Sequence, residues 1–213
     1  MQKHSEESSR QALIQAGKSL FAQKGFDGTT VREISAQADV NLCLVSYHFQ
    51  GKEGLYRTCL EQFGQARLAS ARRLLKEPTN AKEFRDGLKN FVDEFFQSYL
   101  EDPEAARLIH RELDRHCGLS LDIFRETFLK AYETLVDFFR AAQEAGVVAK
   151  DCDCRIASSS VYAAVVHFTR NDWMSALFIG ESLREEAYRT RVREQILEMV
   201  VAGVIPKRKK KAR

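Results

Sequence analysis

Leu42, Cys43, Leu44, Ser46, Tyr47 and His48 crowd into one short stretch of this chain, and Lys52 follows soon after. Read as a helix, the stretch turns Leu42, Cys43, Ser46 and Tyr47 outward, with Leu44 and His48 at the edges of that face. Water is a poor neighbour for two leucines, a cysteine and a tyrosine, so their exposure asks for a partner surface. The major groove of DNA suits them. Apolar side chains can meet thymine methyl groups, while Ser, Tyr and His bond phosphates or base edges. Lys52, opening the next helix, suits a phosphate by its charge. The competing reading is a helix buried under another domain.

Such a face needs elements to hold it, and residues 30–52 read as two short helices joined by a three-residue turn. Thr30 with Glu33 is a capping box. Asn41 is a good N-cap, and Val40 before it with Val45 after it has the spacing of a hydrophobic staple. Helices of about eight residues are marginal alone, so a preceding helix must brace them. Leu13, Ala16, Leu20 and Phe21 recur at helical spacing over about residues 8–24, and Gly25 closes that helix. Val31, Ile34, Ala38, Val45 and Phe49 then face Leu20, Phe21 and Phe26 in a small three-helix core. The arrangement is a helix-turn-helix over residues 30–49, whose second helix enters a major groove.

Phe21, Gly25-Phe26, Thr29-Thr30-Val31, Ile34, Ala38, Val40 and Tyr47-His48-Phe49-x-x-Lys52-Glu53-x-Leu55 strongly resemble the N-terminal domain of TetR-type transcriptional repressors. The resemblance runs from about Arg10 to Tyr56. It implies that Thr30 and the start of helix two, with Arg32, face a phosphate. It implies that Leu42, Cys43, Leu44 and Ser46 read bases, and that Tyr47, His48 and Lys52 grip the backbone. Three departures stand out. Asp39 replaces the usual turn glycine, which Asp tolerates because it accepts a left-handed backbone better than most residues. Cys43 takes a small-residue position, and Ser46 replaces a common tyrosine, so the operator cannot be carried over by analogy.

The remainder reads as long helices over about residues 53–76, 81–100, 103–116, 120–145, 151–179 and 181–204. Asp102 and Pro103 supply an N-cap and first-turn pair. Short loops between helices of this length make an antiparallel bundle. The expected organisation is all-α: a DNA-binding domain over residues 8–56, a helical effector-binding and dimerisation domain over 57–205, and a basic tail over 206–213. Fourteen of the 21 aromatic residues lie between Phe84 and Phe178, and ordinary core packing explains most of them. The resemblance implies that this region encloses a cavity for a small effector and dimerises through its last two helices. Phe91, Phe95, Tyr99, Phe128, Tyr132, Phe139, Tyr162 and Phe168 could line an apolar pocket. His110, Arg111, His167 and Arg170 lie close to apolar helix faces and could touch its ligand. Ile196, Leu197, Met199, Val200, Val201, Val204 and Ile205 are a surplus of apolar residues for a terminal helix, and a second copy would bury them. A two-fold pair of readers in turn expects a palindromic operator.

Composition bounds the rest. In 213 residues there are three Pro and 11 Gly, sparse punctuation that fits helices. The net charge of +3 is carried by the end of the chain: six positive residues in the last seven take the balance of the remainder from +3 to −3. DNA affinity must therefore come from a local patch. The tail reads as a solvated end, with a supplementary phosphate contact as its functional alternative. No apolar signal core or membrane-length span occurs, and five cysteines fit reduced thiols, so a cytoplasmic protein is expected. Cys152-x-Cys154 with His110, His116 and Cys117 matches no common metal spacing. Nothing beside Cys43 marks it as a redox switch. No Walker loop, dinucleotide fingerprint or nucleophile motif is present, so no cofactor, metal or catalytic activity is expected. Two other classes remain open: a DNA-binding regulator controlled by a protein partner instead of a ligand, and, remotely, a helical carrier or enzyme.

Overall fold

Helical spacing of the apolar residues is realised as helices along most of the described residues. The computed structural model describes residues 2–205, with side chains from residue 6, and the expected basic tail lies outside the described residues. Among the described residues there is no strand. The order is α1 (Gln2–Lys24), α2 (Val31–Gln37), α3 (Cys43–Phe49), α4 (Lys52–Leu74), α5 (Ala81–Glu101), α6 (Pro103–Asp114) and α7 (Leu121–Phe124). A π-helical turn (Arg125–Leu129) follows, then α8 (Lys130–Glu144), α9 (Cys154–Arg170), α10 (Asp172–Phe178) and α11 (Glu186–Val204).

Two compact units divide the chain, and neither is a continuous segment. The first joins residues up to 67 with 102–128. It is therefore larger than the 8–56 segment expected to read DNA. Its core packs Leu13, Phe21, Ile34, Val45 and Leu55, each fully buried, with Leu108, Ile109 and Phe124 from the later segment. The later segment also braces α1 and α4 by polar contacts. Lys18 Nζ donates to Asp102 at 2.6 Å, and Ser19 Oγ donates to Glu104 at 2.7 Å. The Tyr56 hydroxyl donates to the buried Glu112 carboxylate at 2.6 Å, and Ser120 Oγ donates to its other oxygen at 2.8 Å. Burial, and then the Glu112 carboxylate, push the Tyr56 phenol well above its ordinary range, so it remains a donor.

The second unit joins residues 68–101 with 129–205. Phe84, Leu88, Phe96, Leu135, Phe139, Val165, Ile196 and Leu197 are essentially inaccessible in its core. Three sequence expectations need correction here and at its edge. The helix expected over 120–145 is interrupted by the π-helical turn, where Thr127 Oγ1 donates to the Ile123 carbonyl at 2.6 Å. The helix expected over 151–179 breaks at Asn171, whose side-chain amide donates to the His167 carbonyl at 2.9 Å. There the side chain competes with the backbone ladder. Finally, the last helix begins at Glu186, not at 181.

The apolar surplus at the C-terminus is also mostly absorbed within the unit. Ile196, Leu197 and Val204 are buried and Val200, Val201 and Ile205 half-buried, which leaves only Met199 of that set exposed. The other exposed large apolar side chains of this unit are Leu129, Ile156 of α9, and Trp173, Met174, Leu177, Phe178 and Ile179 in and just beyond α10.

Candidate nucleic-acid interface

Local chemistry fixes both short helices of the first unit. Thr30 caps α2 from an extended backbone (φ −107°, ψ 151°), and its hydroxyl oxygen accepts from the Glu33 amide at 3.2 Å. Glu33 returns the contact: its carboxylate accepts from the Thr30 amide at 2.8 Å, which completes the capping box. Lys24 Nζ reaches the other Glu33 oxygen at 2.7 Å. That hydrogen bond, together with those from Thr30, lowers the Glu33 carboxyl from 4.5 to about 2.

The turn between α2 and α3 depends on Asp39, which adopts φ +52°. Asn41 then caps α3, although the helical backbone begins one residue later than a simple N-cap there would give. Leu42 already has helical angles and no side-chain cap, while Asn41 Oδ1 accepts from the Cys43 amide at 2.8 Å. At the far end Gln50 (φ +62°) and Gly51 (φ +119°) reverse the chain into α4. A Cβ at Gly54 would fall 1.8 Å from the Phe49 carbonyl oxygen, so this close crossing of α3 and α4 admits only glycine.

Between these fixed ends, α3 buries Val45 and Phe49 and turns the rest outward. Leu42 is 47% and Tyr47 69% exposed. Cys43 and Ser46 are exposed beside them, and Leu44 and His48 are half-buried at the margins. His48 packs edge-on against Tyr47 with ring centroids 4.9 Å apart. Its Nε2 is shielded and has no hydrogen-bond partner among the described residues. Arg10 of α1 lies over the Phe49 ring at 5.4 Å, a prop beneath the reader that the sequence did not mark. Thr30 and Arg32 are exposed at the start of α2.

Lys52 departs from its expected place. Its ammonium donates to the carbonyls of Phe26 at 2.9 Å and Thr29 at 3.0 Å, and sits 4.3 Å from the centre of the Phe26 ring. Two of its three donors are thus spent tying α4 to the loop before α2. Only the third is left for a phosphate.

Residues 13–59 match the family model for bacterial regulatory proteins of the tetR family, and residues 71–200 match the tetracyclin repressor-like C-terminal domain. The chain belongs to the tetR family. It is a DNA-binding transcriptional regulator with a helix-turn-helix at its N-terminal end. The probable HTH-type transcriptional regulator YttP of Bacillus subtilis (strain 168) is 46% identical over 56 residues, only 26% of this chain and 27% of that protein. The HTH-type transcriptional regulator RutR of Escherichia coli (strain K12) is 22% identical over 204 residues, covering 93% of this chain and 91% of RutR. Among solved structures, SmeT, the repressor of the Stenotrophomonas maltophilia multidrug efflux pump SmeDEF, superposes with a TM-score of 0.70 at 18% identity, covering 93% of this chain and 91% of SmeT. No helix among the described residues is long and apolar enough to cross a membrane.

Of the residues expected to face an effector in this tetR-family chain, the structure groups only some. Phe91, Phe95 and Tyr162 pack together with centroids 5.8–6.4 Å apart, and Tyr132 adjoins Tyr162 at 5.8 Å. Phe139 is apart from them, fully buried against Phe84 and Phe138. Tyr99 and Phe168 are half-buried, and His167 and Arg170 are exposed. His110, Arg111 and Phe128 belong to the first unit. There Arg111 abuts Gly25, and Phe128 stacks on Phe124 at 4.6 Å. Helical spacing shows that a residue faces a core, but not which core.

Proposed function

We propose that the protein is a homodimeric repressor that binds a palindromic operator and is released from it by a small apolar or aromatic ligand. The exposed face of α3 carries this reading, because a helix fixed at both ends presents Leu42 and Tyr47 to solvent. Leu42, Cys43, Leu44 and Ser46 read base edges. Thr30, Arg32, Tyr47, His48 and the remaining donor of Lys52 hold the phosphate backbone. Two copies related by a two-fold axis set their α3 helices one DNA turn apart, roughly 34–36 Å. SmeT, of like fold, is a repressor by name, which supports the sign of regulation.

The ligand acts in the second unit, at the cluster of Phe91, Phe95, Tyr132 and Tyr162. Tyr132 also borders an open cavity of about 230 Å³ shared with Leu129, Val136, Arg140 and Arg155. This is below the usual few hundred Å³ of ligand pockets, so a ligand of ordinary size must part the aromatic rings. Release requires a ligand that prefers the arrangement unfit for DNA, and moving a 1:99 population to 99:1 takes about 5.5 kcal/mol of preference. α4 contributes residues to both units and is the covalent route for that signal.

Selection of duplexes from a random pool tests the proposal. It should return an inverted repeat whose half-sites lie one helical turn apart, and addition of aromatic compounds should release the bound duplex while raising the melting temperature of the free protein. Recovery of an asymmetric single site contradicts the two-fold reading. A selected duplex that no compound releases contradicts the ligand reading.

A further inference from the structure

Glu112 is the single buried carboxylate among the described residues of the first unit, 3% exposed on α6 and well outside residues 13–59. One of its oxygens accepts from the Tyr56 hydroxyl of α4 at 2.6 Å, and the other from Ser120 Oγ at 2.8 Å. Both donors are as deeply buried as the acceptor. Taking a charge out of water is costly, and apolar side chains of like volume in its place are often neutral or better for stability. Stability alone therefore gives no reason for the carboxylate. Its short, charge-assisted hydrogen bonds supply direction instead.

That direction leads into the DNA reader. The Tyr56 ring meets Phe21 of α1 edge-on with centroids 5.0 Å apart, and Phe26 of the loop before α2 at 5.1 Å. Lys52 donates to the Phe26 and Thr29 carbonyls of the same loop, and Thr29 runs directly into the cap Thr30. Two neighbours of Glu112 at the end of α6 also press on this loop. Arg111 Nη1 lies 3.0 Å from where a Cβ at Gly25 would stand, and Arg115 Nη1 reaches Asp27 at 3.0 Å. Beyond α6, His116 (φ +57°) and Cys117 (φ +56°) take left-handed backbones as the chain folds back to bring Ser120 onto Glu112. Neither is a glycine, and such a turn persists only where its surroundings hold it.

We propose that Glu112 is a positioning residue for DNA binding: by orienting Tyr56 it fixes the loop of residues 26–29, and with it the phosphate-facing start of α2 and Lys52. This rests on the assignment of α3 and its flanks as the DNA interface. Buried as it is, Glu112 acts only through Tyr56. What it sets is the placement of Thr30, Arg32 and Lys52, so a chain without the network keeps its base-reading side chains and loses phosphate contacts.

The test is an anisotropy titration of the full chain against a duplex that the wild type selects from a random pool, repeated over a range of salt concentrations. Glu112→Gln still accepts from Tyr56 and should bind within about threefold of the wild type. The triple variant Tyr56→Phe, Glu112→Met, Ser120→Ala replaces the network by apolar groups, and its melting temperature should equal or exceed that of the wild type. Its affinity should nonetheless fall about tenfold or more, with a salt slope shallower by about 0.9 for each lost phosphate contact. Tyr56→Phe alone keeps the ring, removes the hydroxyl and should weaken binding about fivefold. Wild-type affinity in the triple variant or in Tyr56→Phe overturns the proposal. An unchanged salt slope overturns it, as does a loss in Glu112→Gln equal to that of the triple variant. A loss that merely follows a lowered melting temperature also overturns it, since the network would then support only the fold. Should the triple variant fail to fold, the affinity and salt slope of Tyr56→Phe decide alone. A wild type that selects no duplex overturns instead the DNA-reading face of α3.

Discussion

Each unit of this regulator holds out one seven-residue helix, α3 in the first and α10 in the second, and the two are built for different partners. α3 buries Val45 and Phe49 beneath it and shows a mixed face in which Ser46, Tyr47 and His48 accompany Leu42 and Leu44. α10 shows Trp173, Met174, Leu177 and Phe178, with no hydrogen-bonding group beyond the indole N–H among them. A mixed face suits base edges and phosphates, which are hydrogen-bonding surfaces with isolated apolar methyl groups. A uniformly apolar one suits the surface of another protein. Their supports differ in the same sense. α3 is fixed by capping and turn devices in the residues beside it, whereas α10 is tied by contacts reaching past its end, from the Asp172 carboxylate to residues 182–183 and from Ser175 to Glu181 and Tyr188.

Substitutions at these supports separate the two cases. The largest effect is expected at the α3–α4 crossing, where Gly54→Ala puts a methyl group against the Phe49 carbonyl. It should cost about 3 kcal/mol of stability, the upper end for single changes, and remove operator binding. Thermal unfolding followed beside DNA titration measures both. Leu42→Ala with Tyr47→Ala touches only the exposed face. Stability should stay within about 0.5 kcal/mol, while the preference for operator falls tenfold or more, about 1–3 kcal/mol. A change in melting temperature matching the lost affinity would show that these side chains hold the fold and not the DNA.

Thr30→Ala removes half of the capping box and should cost about 1 kcal/mol in urea unfolding. pH gives the subtlest effect. The Glu33 carboxyl is lowered from 4.5 to about 2, so its capping contribution is complete above pH 4.5 and lost as the pH falls towards 2. Protection of the α2 amides, taken against their intrinsic exchange rate at each pH, should fall through that interval in the wild type. In Glu33→Gln that fall should be absent.

How much of this was legible in the sequence follows the range of the contacts. Thr30 with Glu33, the left-handed Asp39 and the capping Asn41 act within a few residues, so their letters sufficed to place α2 and α3. The exposed face of α3 followed from helical spacing alone. The braces from α6 did not, because Asp102, Glu104 and Glu112 reach Lys18, Ser19 and Tyr56 across 84, 85 and 56 positions. Lys52 carried the signal of a phosphate ligand, yet its ammonium is largely occupied by loop carbonyls 23 and 26 positions earlier. The break at Asn171 was hidden for the same reason. The run through Trp173 to Ile179 is a plausible continuation of a helix until Asp172 finds its partners beyond it. Among the aromatics, periodicity marked inward faces correctly but could not sort Phe139 and Phe128 from the Phe91, Phe95 and Tyr162 cluster.

The most direct measurement is a fluorescence anisotropy titration of wild type and the Leu42→Ala, Tyr47→Ala double variant, each against a pool-selected duplex and a scrambled duplex at one salt concentration. The wild type should favour the selected duplex by at least about 1,000-fold, as specific DNA binders do. The variant should keep its affinity for the scrambled duplex while losing most of that preference. Equal binding of both duplexes by the wild type, or an undiminished preference in the variant, would contradict the assignment of the α3 face as the DNA reader.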